Sequence, residues 1–251
     1  MWAKKSGGFT IIEVMLFLAV SGLLLTVALI GTGSMMRQIR FSDSGRSLHA
    51  FVQGQYNDIL TGVNPRTANA ACAASATSGA GSSRCLLLGK LIRFETDSDV
   101  VKSYPVIATR IPDLAGADAT LSDEQLIATA AQPVVIKNTG VEEFEIPWGA
   151  EIIGSRRTSD KQTANTYLLL RSPRSSRIVS YTFNATPTEF NTMSSLTSRL
   201  TPAATQRATN YCFQGIETPG LPAMLIVAGG QGQNDIRLQF DVTPAGNCDN
   251  V

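Results

Sequence analysis

Glu13 is the residue whose type and position most clearly require chemistry, because it is a carboxylate at the start of a long apolar run. From Val14 to Ile30 only Ser21, Gly22 and Thr26 interrupt the apolar residues. An ionised carboxylate inside a membrane costs about 3 kcal/mol or more unless a partner offsets its charge. Glu13 therefore needs a partner.

Three interpretations of this segment are open, and they differ in that partner. The segment could be a secretory signal removed after its apolar core, although the run exceeds the usual core of about 7 to 15 residues. It could be an uncleaved signal anchor in which Thr10 and Glu13 form a capping box, a reciprocal pair of hydrogen bonds at a helix start. It could also be cut between Gly8 and Phe9, which would create an α-amino group on Phe9, four residues before Glu13.

The third interpretation matches a known family. The residues Lys4-Lys5-Ser6-Gly7-Gly8, followed by Phe9-Thr10-Ile11-Ile12-Glu13, resemble the N-terminus of type IV prepilins and type II secretion pseudopilins. In that family a membrane prepilin peptidase cuts after the glycine and methylates the new terminal residue. The resemblance implies cleavage after Gly8, N-methylation of Phe9 and an assembly role for Glu13.

The resemblance also implies partners for the chain. Subunits of the family pack their N-terminal helices into a filament core, where Glu13 of one subunit can approach the Phe9 amine of a neighbour. A buried charge is tolerated when paired and costly when alone, so Glu13 would penalise subunits inserted at a wrong axial offset. The implied partners are other pilin subunits, the prepilin peptidase, the inner-membrane assembly platform and the membrane itself.

The apolar run is long enough to cross a bilayer. As a helix, Phe9 to Gly31 would cover about 35 Å, against a hydrocarbon core of about 30 Å. Lys4 and Lys5 favour a cytoplasmic leader. Arg37, Arg40 and Arg46 beyond the other end weaken a simple charge count, so the cleavage motif indicates the orientation better than the charges do.

The helical pattern is expected to continue to about residue 64. Gly31–Ser34 and Ser42–Gly45 are predicted weak points, where the helix could bend, melt or restart after a cap. Gly62 and Asn64-Pro65 end it. A second-half stripe at helical spacing is expected to lie against a sheet, and it consists of Leu48, Val52, Tyr56, Ile59 and Val63, with Phe51 and Leu60 beside it.

Short apolar runs separated by turn residues predict a mainly antiparallel sheet. The predicted strands are 85–94, 100–108, 134–137, 141–146, 151–153, 166–170, 177–183, 224–228 and 236–242. Pro105 predicts that its strand is an edge strand or bulged. Leu121 to Ala131 reads as a short helix with Ser122 and Gln125 spaced as a capping box, and a second short helix is predicted near Met193 to Leu200.

Four cysteines, Cys72, Cys85, Cys212 and Cys248, follow the apolar run. An even number in an exported domain predicts disulfides. Three connectivities are possible, and sequential pairing, 72–85 and 212–248, is preferred because the pairs belong to separate segments. Free buried thiols are the alternative.

No residue set in the sequence indicates an enzyme. His49 is the only histidine, which leaves zinc sites and Ser-His-Asp sets little to build on. The glycine-rich stretch at 229–232 lacks the Lys-Ser/Thr ending of a phosphate loop. Glu142, Glu143 and Glu145 are better explained as a solvated strand face. A net charge of +1 gives no firm indication of a nucleic-acid partner. We predict no catalytic residues, no metal and no cofactor.

The sequence therefore predicts an α+β, pilin-like protein with a long N-terminal helix packed on an antiparallel sheet. Its expected parts are a leader (1–8), a transmembrane or filament-core helix (9–31), an amphipathic helix half (32–64) and an exported β-rich domain with a C-terminal disulfide region (65–251). The expected protein crosses the inner membrane once and becomes extracellular on assembly. We expect a minor pilin; alternatives are a secretion pseudopilin, a DNA-uptake pilin or a membrane-anchored adhesin that does not polymerise.

Overall fold

The computed structural model describes residues 10–62, 86–158, 161–192, 196–200, 208–216, 222–227 and 236–240. The protein is α+β, with an N-terminal apolar helix and antiparallel sheets. It divides into two compact units, residues 1–40 and 41–251.

The long helix α1 runs from Ile11 to Thr61 and comprises 51 residues. It is continuous through both predicted weak points, so the predicted melting at 31–34 and restart after 42–45 are wrong. Ser44 does not cap a new helix, because its hydroxyl donates to the Pro147 carbonyl at 2.7 Å. A Cβ on Gly45 would lie 2.9 Å from the Phe213 ring, so glycine allows close packing here rather than a turn. Gly62, with a φ of +71°, ends the helix as predicted.

The second part of α1 buries the predicted stripe. Leu48 and Val52 are fully buried, and Tyr56 and Ile59 are at most 6% exposed. Phe51 beside the stripe stacks on Phe144 with ring centroids 4.7 Å apart. Four described members of the stripe are thus confirmed, whereas Leu60 is exposed and Val63 lies outside the described residues.

Ten described strands form two antiparallel sheets. In chain order they are β1 (Leu87–Phe94), β2 (Val100–Ala108), β3 (Pro133–Val135), β4 (Glu142–Glu145), β5 (Ala150–Arg157), β6 (Thr166–Arg171), β7 (Ile178–Phe183), β8 (Thr209–Gly215), β9 (Ala223–Val227) and β10 (Ile236–Gln239). The first sheet has the order β3-β2-β1-β6-β7, with β4 also paired to β2, and the second has the order β10-β9-β8-β5. The predicted hairpins β1–β2, β6–β7 and β9–β10 are confirmed.

Of the two alternatives predicted at Pro105, the edge strand is wrong, because β2 is paired on both sides, whereas the β1–β2 ladder does have a register shift, which lies on β1 between Leu87 and Gly89. On one side β2 pairs with β1, and on the other its first half pairs with β4 and its second half with β3. The Pro105 carbonyl accepts a hydrogen bond from the Ile136 amide at 2.9 Å, so the proline nitrogen faces the same side. Along this side of β2, the pairing with β4 ends at Ser103 and the pairing with β3 begins at Val106. The missing N–H of Pro105 lies between these two ladders, so it interrupts neither of them.

The two faces of the first sheet are covered differently. One face shares a core with α1 and the second sheet, and Phe94 stacks there on Tyr211 at 3.9 Å. The other face is covered by short helices, which explains why the strands read as nearly continuous apolar runs. Sequence reasoning missed β8, whose buried residues include the polar Thr209 and Asn210.

Two short helices accompany the sheets. Helix α2 (Asp123–Gln125) begins at the predicted Ser122–Gln125 capping box and continues as a π-helical turn, Leu126–Ala130. Helix α3 (Pro187–Thr192) lies before the segment in which a second helix was predicted. Within that segment the described residues form a 3₁₀ turn, Thr197–Arg199.

Candidate functional site

Glu13 lies in the first turn of α1 and makes a capping box with Thr10. Its Oε2 accepts hydrogen bonds from the Thr10 amide at 2.9 Å and from the Thr10 hydroxyl at 3.0 Å, and the Glu13 amide donates back to that hydroxyl at 3.3 Å. This is the arrangement that the signal-anchor interpretation predicts. Both donors are neutral, so among the residues that the structure describes the box satisfies one carboxylate oxygen without supplying a cation. Gly8 and Phe9 lie outside the described residues, and their processing stays a prediction.

The first unit presents an uncovered apolar surface. Ile11–Leu29 has a mean hydropathy of 2.4, and none of it is buried. Ile11 and Phe17, for example, are more than two-thirds exposed. A helix that is apolar all round needs lipid or other helices around it. The chain therefore has an N-terminal helix long and apolar enough to cross a membrane.

A buried lysine ties the C-terminal part of α1 to the first sheet. Lys90 on β1 is 2% exposed, and its Nζ donates to Gln55 Oε1 at 2.7 Å, Asp58 Oδ2 at 2.7 Å and Glu142 Oε1 at 2.9 Å. Gln55 also donates to Glu142 at 2.9 Å and accepts from Ser103 at 2.8 Å. We call these five residues the Lys90 network. They join α1 to β1, β2 and β4, so the network fixes the helix on the sheet.

A second attachment fixes α1 at the beginning of the second unit. Besides the Ser44–Pro147 bond, Asp43 Oδ2 accepts a hydrogen bond from the Trp148 indole at 2.9 Å. Trp148 lies in the turn Pro147–Gly149 before β5. The Lys90 network and this turn thus hold the helix at two separated points. Neither attachment was predicted from the sequence.

Two cationic side chains, Arg93 and Lys137, lie close to the Phe190 ring on the other face of the first sheet. The Arg93 guanidinium carbon lies 4.5 Å from the centre of the Phe190 ring, and Lys137 Nζ lies 4.9 Å from it. Arg93 is 2% exposed and donates to Glu95 at 2.8 Å. Burial and the neighbouring Arg93 charge lower the pKa of Lys137. Lys137 also donates to the carbonyl of Asn191 at 3.0 Å, so these cations hold α3 in place.

His49 and the three glutamates of β4, which the sequence also singled out, make contacts that hold the fold together. His49 is half-buried on α1, as predicted, with Nε2 3.1 Å from the Ile236 carbonyl oxygen. The three glutamates do not form one solvated face. Glu142 belongs to the Lys90 network, while Glu143 pairs with Lys102 at 2.9 Å. In the described ranges no group of three or more His, Cys, Asp or Glu side chains could hold a metal ion.

Cys212 is the one predicted disulfide residue within the described ranges. It lies on β8, is fully buried and is disulfide-bonded. Cys72, Cys85 and Cys248 lie outside the described residues, so the pairing 212–248 stays a prediction. A covalent bond at β8 anchors a further segment of the chain to the second sheet.

The fold and these sites define an α+β protein whose N-terminal helix could span a membrane. No family model, curated protein or solved structure matches the chain.

Proposed function

We propose that the chain is a structural subunit, a minor pilin, of a type IV pilus or a related filament. It is held in the inner membrane by α1 with its sheet domain exported, cut after Gly8 by a prepilin peptidase, and methylated on Phe9. It then assembles through the apolar part of α1 with other pilin subunits on an inner-membrane platform, and the domain becomes extracellular. The sheets and the second part of α1 are compatible with the pilin-like domain that this function needs.

The observation that carries the proposal is the carboxylate of Glu13, to which the described part of the chain brings no cation. It lies at the start of an apolar helix surface, and its described hydrogen bonds come from the neutral groups of Thr10. A charge in that place needs a cation. Cleavage after Gly8 would supply one, the α-ammonium of Phe9, from the same chain or from a neighbour.

A second candidate function is a membrane-anchored domain that does not polymerise, such as an adhesin. The Thr10–Glu13 capping box favours it, because a box gives Glu13 a local role that needs no neighbouring subunit. The two candidates differ in the mature N-terminus and in the need for a negative charge at Glu13.

Mass spectrometry of the mature N-terminus tests the processing. The expected terminal peptide begins at Phe9 and is about 14 Da heavier than the unmodified peptide, the mass of one methyl group. A protein from its native host that begins at Met1, or anywhere other than Phe9, contradicts the proposed function.

Substitutions of Glu13 separate charge pairing from capping. Glutamine can close a capping box but carries no charge. We expect both Glu13→Gln and Glu13→Ala to reduce incorporation into filaments about tenfold or more. Both variants leave the Phe9 ammonium without its carboxylate partner in the filament core, and an unpaired charge there costs more than about 1.4 kcal/mol. Full incorporation of Glu13→Gln would show that the box alone is needed and would favour the plain anchor.

Helix α3 supplies a matched control. Thr186 and Glu189 form the same kind of box, with bonds of 2.9 and 3.2 Å to Glu189 Oε2 and 3.2 Å back to the Thr186 hydroxyl. Glu189→Ala removes a box of the same geometry from an exposed helix start outside the apolar segment. We expect normal incorporation of this variant; a loss equal to that of Glu13→Ala would mean that the assay reports helix capping in general.

A further inference from the structure

A cavity of about 450 Å³ opens at the β3 edge of the first sheet. Its walls come from the end of β2, the π-helical turn, the start of β3 and the 3₁₀ turn. The lining side chains are those of Thr109, Thr129, Gln132, Val134 and Thr197. This volume lies within the range of small-molecule sites, about 300 to 1,000 Å³. All five residues belong to the second unit, so the cavity does not involve the apolar part of α1.

Gln132 adopts a backbone conformation that costs energy. Its φ is 49°, in the left-handed region that side chains other than glycine rarely adopt, and such a residue costs about 1 to 3 kcal/mol. Thr109 fixes the Gln132 carbonyl in this position, because its hydroxyl donates to that carbonyl at 3.0 Å and its amide at 3.4 Å. A glycine would adopt the same conformation without the cost. The position therefore keeps a glutamine side chain at the cavity despite the strain.

The helical turn that leads to this glutamine is also irregular. The Ala131 amide donates to the Leu126 carbonyl at 2.9 Å, five residues earlier, which makes the turn Leu126–Ala130 π-helical. Single π-helical turns are frequent at functional sites. Thr129 on this turn is exposed and lines the cavity. Two irregular backbone segments, adjacent in the chain, thus shape one wall of the cavity.

The lining side chains determine which ligand chemistry fits. None of the five is charged, so the lining has no group that could offset the charge of an ionic ligand. The Thr109 and Thr129 hydroxyls each donate to a backbone carbonyl, at 3.0 and 2.7 Å, so their oxygen lone pairs remain to accept. Within the described ranges no residue hydrogen-bonds to the side-chain amide of Gln132, which can both donate and accept. Val134 adds an apolar contact.

We propose that this cavity binds a small neutral saccharide. The hydroxyl groups of a sugar donate and accept hydrogen bonds, as the Thr and Gln side chains require, and the C–H groups of its ring face can contact Val134. A purely apolar ligand would leave the polar lining unpaired, and an ionic ligand would lose its hydration without a counter-charge. The binding goes beyond the filament function and does not depend on cleavage after Gly8.

Saturation-transfer NMR with two neutral disaccharides, maltose and N,N′-diacetylchitobiose, tests the binding. The full chain is held in dodecylphosphocholine micelles, because detergents with sugar headgroups would compete for the cavity. We expect saturation to pass from the protein to the ring protons of at least one of the two disaccharides. Sialic acid, a charged sugar, should receive about fivefold less saturation at the same concentration, because no lining residue offsets its carboxylate.

The variant Gln132→Gly separates the side chain from the backbone. It relieves the left-handed strain and removes the amide, so we expect an unchanged or higher urea midpoint together with about fivefold less saturation transfer. Lys161→Gly is the matched control, because Lys161 has φ 59° and does not line the cavity, and it should keep the wild-type transfer. Thr129→Val removes an exposed hydroxyl from the cavity and should also reduce transfer about fivefold.

Four results would overturn the proposal. Absence of transfer to both disaccharides would mean that the cavity does not bind such sugars. Wild-type transfer in Gln132→Gly and Thr129→Val would place the binding elsewhere on the chain. An equal loss in Lys161→Gly would show that the loss follows any change of a left-handed residue. Transfer to sialic acid as strong as to the disaccharides would contradict a neutral ligand. A mature N-terminus at Met1, by contrast, would refute the filament function and leave the sugar result readable.

Discussion

Replacing Lys90 by methionine tests whether the Lys90 network fixes α1 on the first sheet. Methionine keeps much of the volume of the lysine stem and removes three charge-assisted hydrogen bonds, to Gln55, Asp58 and Glu142. The substitution leaves the three acceptors without the lysine donor, while the bonds from Ser103 to Gln55 and from Gln55 to Glu142 remain.

The size of the effect follows from the burial of those acceptors. Breaking a fully buried ion pair costs about 3 to 5 kcal/mol. The side chains of Asp58 and Glu142 are 37% and 41% exposed, so water can rehydrate both carboxylates. Gln55 is 4% exposed, and its Oε1 keeps the bond from Ser103 but loses the bond from the charged lysine; a hydrogen bond to a charged group contributes about 1.5 to 3 kcal/mol. We therefore expect Lys90→Met to lower the free energy of unfolding by about 2 to 3 kcal/mol.

Urea unfolding of the full chain in detergent micelles, followed by far-UV circular dichroism, measures this loss. Lys102→Met is the matched control, because Lys102 makes a 2.9 Å pair with Glu143 between β2 and β4 with side chains 35% and 60% exposed. An exposed pair of this kind contributes less than about 1 kcal/mol. If the two variants unfold at the same urea concentration, the Lys90 network does not hold the helix.

Two further predictions concern the sheets. A Cβ on Gly89 would lie 1.8 Å from the Leu169 carbonyl oxygen, so we expect Gly89→Ala to lower the free energy of unfolding in urea by about 3 kcal/mol. The control Gly54→Ala, on α1 with open space around it, should raise the free energy of unfolding by up to about 1 kcal/mol. An unchanged free energy of unfolding for Gly89→Ala would contradict this close approach. Burial raises the pKa of Tyr181 to about 12, and no described residue makes a hydrogen bond to its buried hydroxyl. Because this pKa lies above its unfolded value, the associated stability is present below about pH 10 and is lost between about pH 10 and 12. Tyr181→Phe should therefore reduce unfolding in that range and raise the urea midpoint at pH 7; an unchanged alkaline transition would refute the assignment.

Local sequence patterns predicted those parts of the fold that local physics determines. The stripe on α1 was found because apolar residues at helical spacing must share one face. The hairpins β1–β2 and β6–β7 were found because turn residues separate their apolar runs. The Ser122–Gln125 box was found because its two partners are three residues apart.

The features that were missed depend on contacts distant in the sequence. Lys90 stands in an apolar run, and its partners come from α1 and β4, so no local spacing reveals the network. The helix passes through Gly45 because the Phe213 ring packs against it, which overrides the low helix propensity of glycine. Strand β8 was missed because Thr209 and Asn210 are polar and nevertheless buried.

The candidate site was predictable only in part. The apolar helix and the capping geometry of Thr10 and Glu13 follow from spacing, and the structure contains both. The partner that we propose for the Glu13 charge does not follow from spacing, because a cation that cleavage or another subunit would supply is not a property of a single sequence.

The double attachment of α1 to the sheets has a mechanical consequence. The helix is held near Asp43 and Ser44 by the turn before β5, and near Gln55 and Asp58 by the buried lysine. A tensile force along the helix axis would load these two fastenings in shear at the same time, with the apolar stripe between them. Detachment of the helix from one end alone is thereby resisted, because the other attachment still holds the helix on the sheets.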